Sequence, residues 1–215
     1  TAAMQRALAE LLGENTKISL SIPAPKTGLD GISTFKRITV TVKNWETDAG
    51  TLDSATIIFS NVRARFDGKP RIIGVAKTEF NAELGSESVL EAATLSGRPI
   101  SKLTYSGGRI NASGSVDIGL GFPVDYTVIG KPAFDAGTLV TIKPDSVSVF
   151  GIKFRKSLNN KASGFINPLL DFEGFDVSYS DAEPHEKAVG REFRAKISSA
   201  KISRGKLKLR GKFVR

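Results

Sequence analysis

Cysteine is absent from this chain of 215 residues, and histidine occurs only once, as His185. The absence of cysteine excludes disulfide bonds and thiolate metal sites, and a single histidine excludes any site that needs two. Glu183 and Glu186 flank His185, but a zinc site requires three or four preorganised ligands. No apolar run approaches the roughly 18 residues of a transmembrane helix. We therefore predict neither a metal site nor a membrane-spanning helix.

Sequence signatures of enzymes are also missing. There is no Gly-x-Ser-x-Gly nucleophile elbow, no P-loop and no GxGxxG dinucleotide fingerprint,. The carboxylates Asp125, Asp145 and Asp176 are scattered, so a glycosidase pair stays open as an alternative but no two residues are nominated. We predict that the chain is not an enzyme and requires no cofactor.

Aromatic residues that could stack on nucleic-acid bases are scarce, with one Trp and three Tyr in the whole chain. Proteins that bind single strands usually place such side chains on a basic groove. Zinc fingers and basic zippers are absent as well,. Nucleic acid is therefore not an expected partner.

Basic residues, in contrast, are concentrated at one end. The segment Lys187–Arg215 carries 11 Lys and Arg against a single acid, Glu192, so its net charge is +10 while the rest of the chain has −1. This charge either forms a solubilising strand edge or contacts an anionic partner. Six cations are candidate membrane-contact residues: Lys206, Lys208, Arg210 and Lys212, which alternate with apolar residues, and Lys196 and Lys201, which join them if the hairpin pairs in register.

Alternation of apolar and polar residues dominates the rest of the chain and predicts antiparallel strands. Two long arms fill residues 31–66, and long paired strands twist and coil into a curved wall. We predict one domain over residues 1–215, with an α+β, β-dominated fold. The predicted helices cover 2–12, 86–97 and 157–167, and the predicted strands cover 17–23, the two arms of 31–66, 71–84, 101–106, 109–118, 122–129, 138–143, 146–154, 193–202 and 206–214.

The segments GLDGISTFKRITVTVKNW, LDSATIIFSNVRARFDG and INPLL, in this order with the predicted helices, resemble the LmeA-like phospholipid-binding family of bacteria. That resemblance implies a tubular lipid-binding fold, similar to half of a bactericidal permeability-increasing protein. A long, highly curved antiparallel sheet would wrap around amphipathic helices and enclose an apolar slot for acyl chains. It also implies an exported role in the cell envelope or periplasm, in lipid binding or transfer. The candidate lipid-binding residues are Leu8, Leu12, Val40, Val42, Val62, Phe66, Phe80 and Phe165.

Two functional hypotheses follow. In the first, the chain binds a phospholipid or another acyl-chain lipid in an elongated cavity, with an anionic membrane surface as a further partner. In the second, the apolar faces form a filled core, and the chain is a non-enzymatic interaction domain whose basic edge docks an acidic partner.

Overall fold

The computed structural model describes residues 17–47, 50–65, 71–117, 119, 121–135, 137–154, 164, 166–173, 176–180 and 190–214. The elements are β1 (Lys17–Ser21), β2 (Lys26–Thr27), β3 (Ile32–Thr47), β4 (Gly50–Arg65), β5 (Arg71–Gly74), β6 (Lys77–Leu84), α1 (Ser86–Leu95), β7 (Lys102–Ser106), β8 (Arg109–Asp117), β9 (Pro123–Asp135), β10 (Leu139–Val149), β11 (Ile152–Lys153), β12 (Leu170–Asp171), β13 (Asp176–Ser180), β14 (Gly190–Ser203) and β15 (Lys206–Val214).

Two antiparallel sheets contain all of these strands. The larger sheet has the order β1-β3-β4-β6-β15-β14-β13, with β2 paired to β3 and β5 to β4, and the smaller has the order β11-β10-β9-β8-β7, with β12 paired to β10. Within the described residues α1 is the one helix. The prediction of a β-dominated α+β fold is confirmed at this level.

The long hairpin is confirmed, with 16 residues in each of β3 and β4. Its buried face, however, changes parity along the strands. Val40 and Val42 are buried at even positions of β3, whereas Phe35 is buried at an odd one. The ladder skips the opposed pairs Lys36–Asn61 and Asn44–Asp53 without a shift in register, and Asn44 and Asn61 have positive φ, 53° and 50°. The parity of the buried side chains changes across these interruptions.

Several other boundaries differ from prediction. The expected strand 71–84 is interrupted between β5 and β6, at residues 75 and 76. The expected strands 138–143 and 146–154 are largely one strand, β10, which continues through a bulge in which the ladder with β9 skips Asp145, directly after Pro144. Bulges are among the places where a strand tolerates proline. Helix 86–97 is confirmed as α1, whereas 2–12 lies outside the described residues; of 157–167 only 164, 166 and 167 are described, and none is helical.

One cluster of buried apolar side chains joins both sheets and α1. It includes Val42 and Leu207 from the larger sheet, Ile110 and Ile142 from the smaller, and Val89 from α1, all at most 1% exposed. The backbone also links the sheets, since the Ile197 N–H of β14 donates to the Gly137 carbonyl at the β9–β10 turn. The outward face of β14 and β15 is thereby held on a rigid core.

Candidate functional site

The predicted membrane-contact cations lie on the outer face of the β14–β15 hairpin. On β15 Leu207, Leu209 and Phe213 are buried, so the even-numbered side chains between them point away from the core. The register places Lys196 opposite Lys212. On the same outer face Ser199 lies opposite Arg210, Lys201 opposite Lys208 and Ser203 opposite Lys206. The strand pairing therefore places Lys196 and Lys201 beside the cations of β15, as expected.

Two of these six cations are engaged in ion pairs within the sheet. Lys208 Nζ lies 2.6 Å from Glu83 Oε1 on β6, and Lys206 Nζ lies 3.0 Å from Asp53 Oδ2 on β4. Both lysines are half-buried. Carboxylates of neighbouring strands therefore offset the charge of these two lysines.

The remaining four, Lys196, Lys201, Arg210 and Lys212, are exposed, and we call them the basic face. Within the described residues none of them has a carboxylate within ion-pair distance. Glu79, the register partner of Lys212 on β6, pairs with Lys77 at 2.8 Å instead. With strand spacings of about 5 Å across and 3.4 Å per residue along, the basic face places four cations within roughly 14 Å.

Directly opposed like charges destabilise an antiparallel pair, and Lys196 opposite Lys212 is such a case. Opposed lysines also occur at Lys131 and Lys143 on the smaller sheet, so opposition by itself does not mark a site. What distinguishes the basic face is that it places four exposed cations on the outer face of one hairpin, with Ser199 between Lys196 and Lys201 on β14. This arrangement suits a ligand that carries several negative charges.

Asp53 organises the edge of this face in a way that sequence reasoning missed. Its carboxylate accepts the Gly85 N–H at 3.1 Å and the Ser88 hydroxyl at 2.5 Å, both at the start of α1, besides its ion pair with Lys206. Burial alone would raise the pKa of Asp53, but the hydrogen bonds from Ser88, Lys206 and Gly85 outweigh it and hold the pKa below its ordinary value. Ser86 is the local candidate for the cap because serine is common at that position, but it is the first residue of α1, and Gly85 occupies the N-cap.

Tyr105 completes this group from β7. Its hydroxyl donates to the Gly85 carbonyl at 3.2 Å, and burial together with the nearby Asp53 charge raises the pKa of Tyr105. The groups that donate to Asp53 thus all lie at the start of α1 or at the start of β15. We interpret the group as a structural tie and not as a catalytic one.

The predicted lipid-binding residues do not form one group. Val40, Val42 and Phe80 lie in the cluster that joins the sheets, whereas Val62 packs in a second cluster with Phe35 and Ala64. The partly buried Ile38 and Phe59 pack against both clusters. The remaining candidates, Leu8, Leu12, Phe66 and Phe165, lie outside the described residues.

Metal sites and membrane-spanning helices are absent from the described residues. No three His, Asp or Glu side chains there converge as metal ligands, and no helix there is both long and apolar enough to cross a bilayer. His185, with Glu183 and Glu186, lies outside the described residues. No family model, no curated protein and no solved structure matches this chain.

Proposed function

We propose that this protein binds phospholipid and that it docks on anionic membrane surfaces through the basic face. The observation that carries the proposal is the cluster Lys196, Lys201, Arg210 and Lys212, exposed on one hairpin and unmatched by carboxylates among the described residues. The opposite side of the same hairpin is buried. The cations are therefore presented on a fixed surface, which lowers the entropy lost when they meet an array of head groups.

The expected strength follows from the charge count. Near an anionic bilayer each cation contributes about 1 kcal/mol, an attraction that fades within a Debye length. Four cations then give roughly 4 kcal/mol, or about a thousandfold in affinity at low salt. Lys206 and Lys208 are left out of this count because Asp53 and Glu83 already neutralise them.

The finer part of the proposal rests on the resemblance to the LmeA-like family and concerns a tubular lipid-binding fold in the cell envelope. Acyl chains would lie beside Val40, Val42 and Phe80. These side chains are at most 7% exposed within a packed cluster. A bound chain would therefore have to displace packed side chains or lie along segments outside the described residues. Lipid extracted from the purified protein and identified by mass spectrometry tests this part.

The docking itself is tested by vesicle co-sedimentation. The variant replaces Lys196, Lys201, Arg210 and Lys212 with Gln, and a matched control replaces four other exposed cations with Gln: Lys36, Lys102, Lys131 and Lys143. The control removes the same net charge and also contains an opposed lysine pair. We expect the variant alone to lose binding to vesicles of phosphatidylcholine and phosphatidylglycerol, and wild-type binding to fall steeply as salt is raised.

Equal losses in the two variants would show that net charge, and not the basic face, governs binding. Wild-type protein that ignored both lipid charge and salt would refute the proposal.

The packed cluster between the sheets favours a second candidate function, an interaction domain with a filled core whose basic face docks an acidic protein. The two candidates differ in their ligand and not in their residues. Protein that carries no extractable lipid, ignores vesicles and binds an acidic polypeptide such as polyglutamate through the same four cations would establish this second function instead.

A further inference from the structure

The smaller sheet carries an exposed apolar group at one end, formed by Phe122, Phe150 and Ile152. Phe122 directly precedes β9 in the β8–β9 connection, and Phe150 and Ile152 lie at the β10–β11 turn. The rings of Phe122 and Phe150 are in contact, with centroids 6.1 Å apart. Their side chains are 52% and 55% exposed, and Ile152 is 71% exposed. We call these three residues the tip cluster.

The backbone at the tip cluster is held in an unfavourable conformation. The pairing of Val149 with Ile152 leaves Phe150 and Gly151 as the central residues of a two-residue turn, and both have positive φ, 51° and 77°. Such a turn favours Asn-Gly, and a bulky residue there is an outlier. The Phe150 N–H donates to the Asp125 carbonyl at 3.0 Å, which fixes the turn beside the start of β9. The fold thus holds an aromatic ring outward at a position where asparagine would be more stable.

We infer that the tip cluster inserts into the interfacial region of a lipid bilayer. Its apolar surface, about 300 Å² if half of each side chain is exposed, is far below the roughly 800 Å² per partner of a stable protein interface. Apolar side chains that project from two turns can instead enter the head-group region of a bilayer. The polar surface of the protein around them then stays in water. A bilayer is therefore the occupant that this group fits.

The charges near the tip cluster agree with that occupant. Lys153 is exposed directly after Ile152. The nearby acids are Asp117, whose carboxylate accepts the Gly119 N–H at 2.8 Å, and Asp125, at the other side of the turn. Since acids and bases are both present, insertion should depend mainly on apolar contact and should occur in zwitterionic bilayers too.

The tip cluster is separate from the basic face. Ile197, next to Lys196 of the basic face, donates its N–H to the Gly137 carbonyl, which follows the end of β9, whereas Phe122 precedes its start. This inference rests on the proposed function in placing the protein at a membrane, yet it depends on different residues. Each surface can therefore be tested without altering the other.

The test introduces a fluorescent probe at the tip with Phe150→Trp and compares it with Leu95→Trp, a site on α1 that is 71% exposed. Trp45 packs against the core and serves in both proteins as an internal reference. With vesicles of brominated phosphatidylcholine, we expect the emission of the Phe150→Trp protein to shift to the blue and to be quenched. The Leu95→Trp protein should show neither change.

A second variant, Phe150→Asn, separates insertion from folding. It should raise the melting temperature, because asparagine suits the left-handed turn, while it weakens binding to phosphatidylcholine vesicles about tenfold through the loss of half-exposed ring area. Leu95→Asn should leave vesicle binding unchanged. A probe at Phe150 that is not quenched, together with unchanged binding by Phe150→Asn, would overturn the inference, as would Phe150-dependent dimerisation in sedimentation. The two proposals can also fail separately. If brominated lipid quenches the Phe150→Trp protein but vesicle binding depends neither on lipid charge nor on salt, the tip inference stands and the basic-face proposal fails.

Discussion

Removal of the Asp53 carboxylate should destabilise the fold, because this group links three elements, β4, α1 and β15. Asp53 lies on β4, accepts hydrogen bonds from Gly85 and Ser88 at the start of α1, and pairs with Lys206 on β15. Asp53 accepts the N–H of Gly85, the N-cap residue of α1, and the hydroxyl of Ser88, and a carboxylate in that place acts as a cap does and is favoured by the helix dipole. Here the carboxylate comes from β4, since Asp53 precedes Gly85 by 32 residues.

The magnitude follows from the two kinds of contact. Loss of a cap costs about 0.5–2 kcal/mol, and the Lys206 pair, with side chains 41% and 24% exposed, adds well under 1 kcal/mol because solvent screens it. Asp53→Ala should therefore lower the free energy of unfolding by about 1–2 kcal/mol. In a chain of this length that corresponds to a fall in melting temperature of roughly 2–8 °C. Asp53→Asn, which keeps one acceptor oxygen, should cost less than Asp53→Ala.

The pH dependence gives a sharper test. The pKa of Asp53 is lower in the folded protein than its ordinary value of 3.8, so its carboxylate stabilises the fold above that value and the contribution disappears as pH falls through the lowered pKa. Urea unfolding followed by circular dichroism should thus show a constant gap between wild type and Asp53→Asn near neutral pH, narrowing below about pH 4. Asp125→Asn, at an exposed residue, is the control and should be nearly neutral. A gap that is absent at pH 7, or that persists unchanged at the acid end, would refute the reasoning.

Two further predictions concern the smaller sheet. The side chain of Asn167 binds both backbone groups of Ile142: it accepts the N–H at 2.9 Å and donates to the carbonyl at 3.0 Å. Asn167→Asp removes the donor and should lower the free energy of unfolding in urea by about 1–3 kcal/mol. The control, Asn111→Asp, should lower it little. The Tyr126 hydroxyl donates to the Pro99 carbonyl at 2.6 Å, and burial raises the pKa of Tyr126 to about 12. Stability should therefore fall as pH rises from about 10 towards that value, and a smaller alkaline loss in Tyr126→Phe would confirm the sign, whereas an equal loss would contradict it.

Strand positions were largely predictable because period-2 alternation is a local property of the sequence. Lys206 to Phe213 alternates without interruption, and β15 has the predicted bounds, Lys206–Val214. The hairpin β3–β4 was predicted for the same reason. Which face each part of a strand buries was harder to predict, since one residue in the left-handed region inverts the parity beyond it. Asn61 has a positive φ of 50°; before it Ala55 and Ile57 are buried at odd positions of β4, and beyond it Val62 and Ala64 are buried at even ones.

The part of the structure that could not be predicted from the sequence was mainly the contacts between segments that are distant along the chain. The alternation on β15 predicts that Lys206 and Lys208 point outward, but only the strand order places Glu83 beside Lys208 and Asp53 beside Lys206. Capping by Asp53 was missed for the same reason, because Ser86 is the local candidate and Asp53 belongs to another strand. The basic face holds the four of the six predicted cations that lack a carboxylate within ion-pair distance among the described residues, and this subset could be defined only after the sheet had been assembled.

The larger sheet places carboxylates beside some cations of β15 and not beside others, and this contrast is informative about function. Strand β6 faces β15 with Glu83 opposite Lys208 but with Asn81 opposite Arg210, and its remaining acid at this face, Glu79, bonds Lys77. The strand can therefore hold acids at outward positions, and an acid in place of Asn81 would have neutralised Arg210. A sequence shaped only by stability would be expected to gain from that change. Phe150 departs from stability in the same way, as a bulky residue in a left-handed turn. Both positions depart from what stability alone would favour, as functional surfaces often do, and they are the positions on which the two proposals rest.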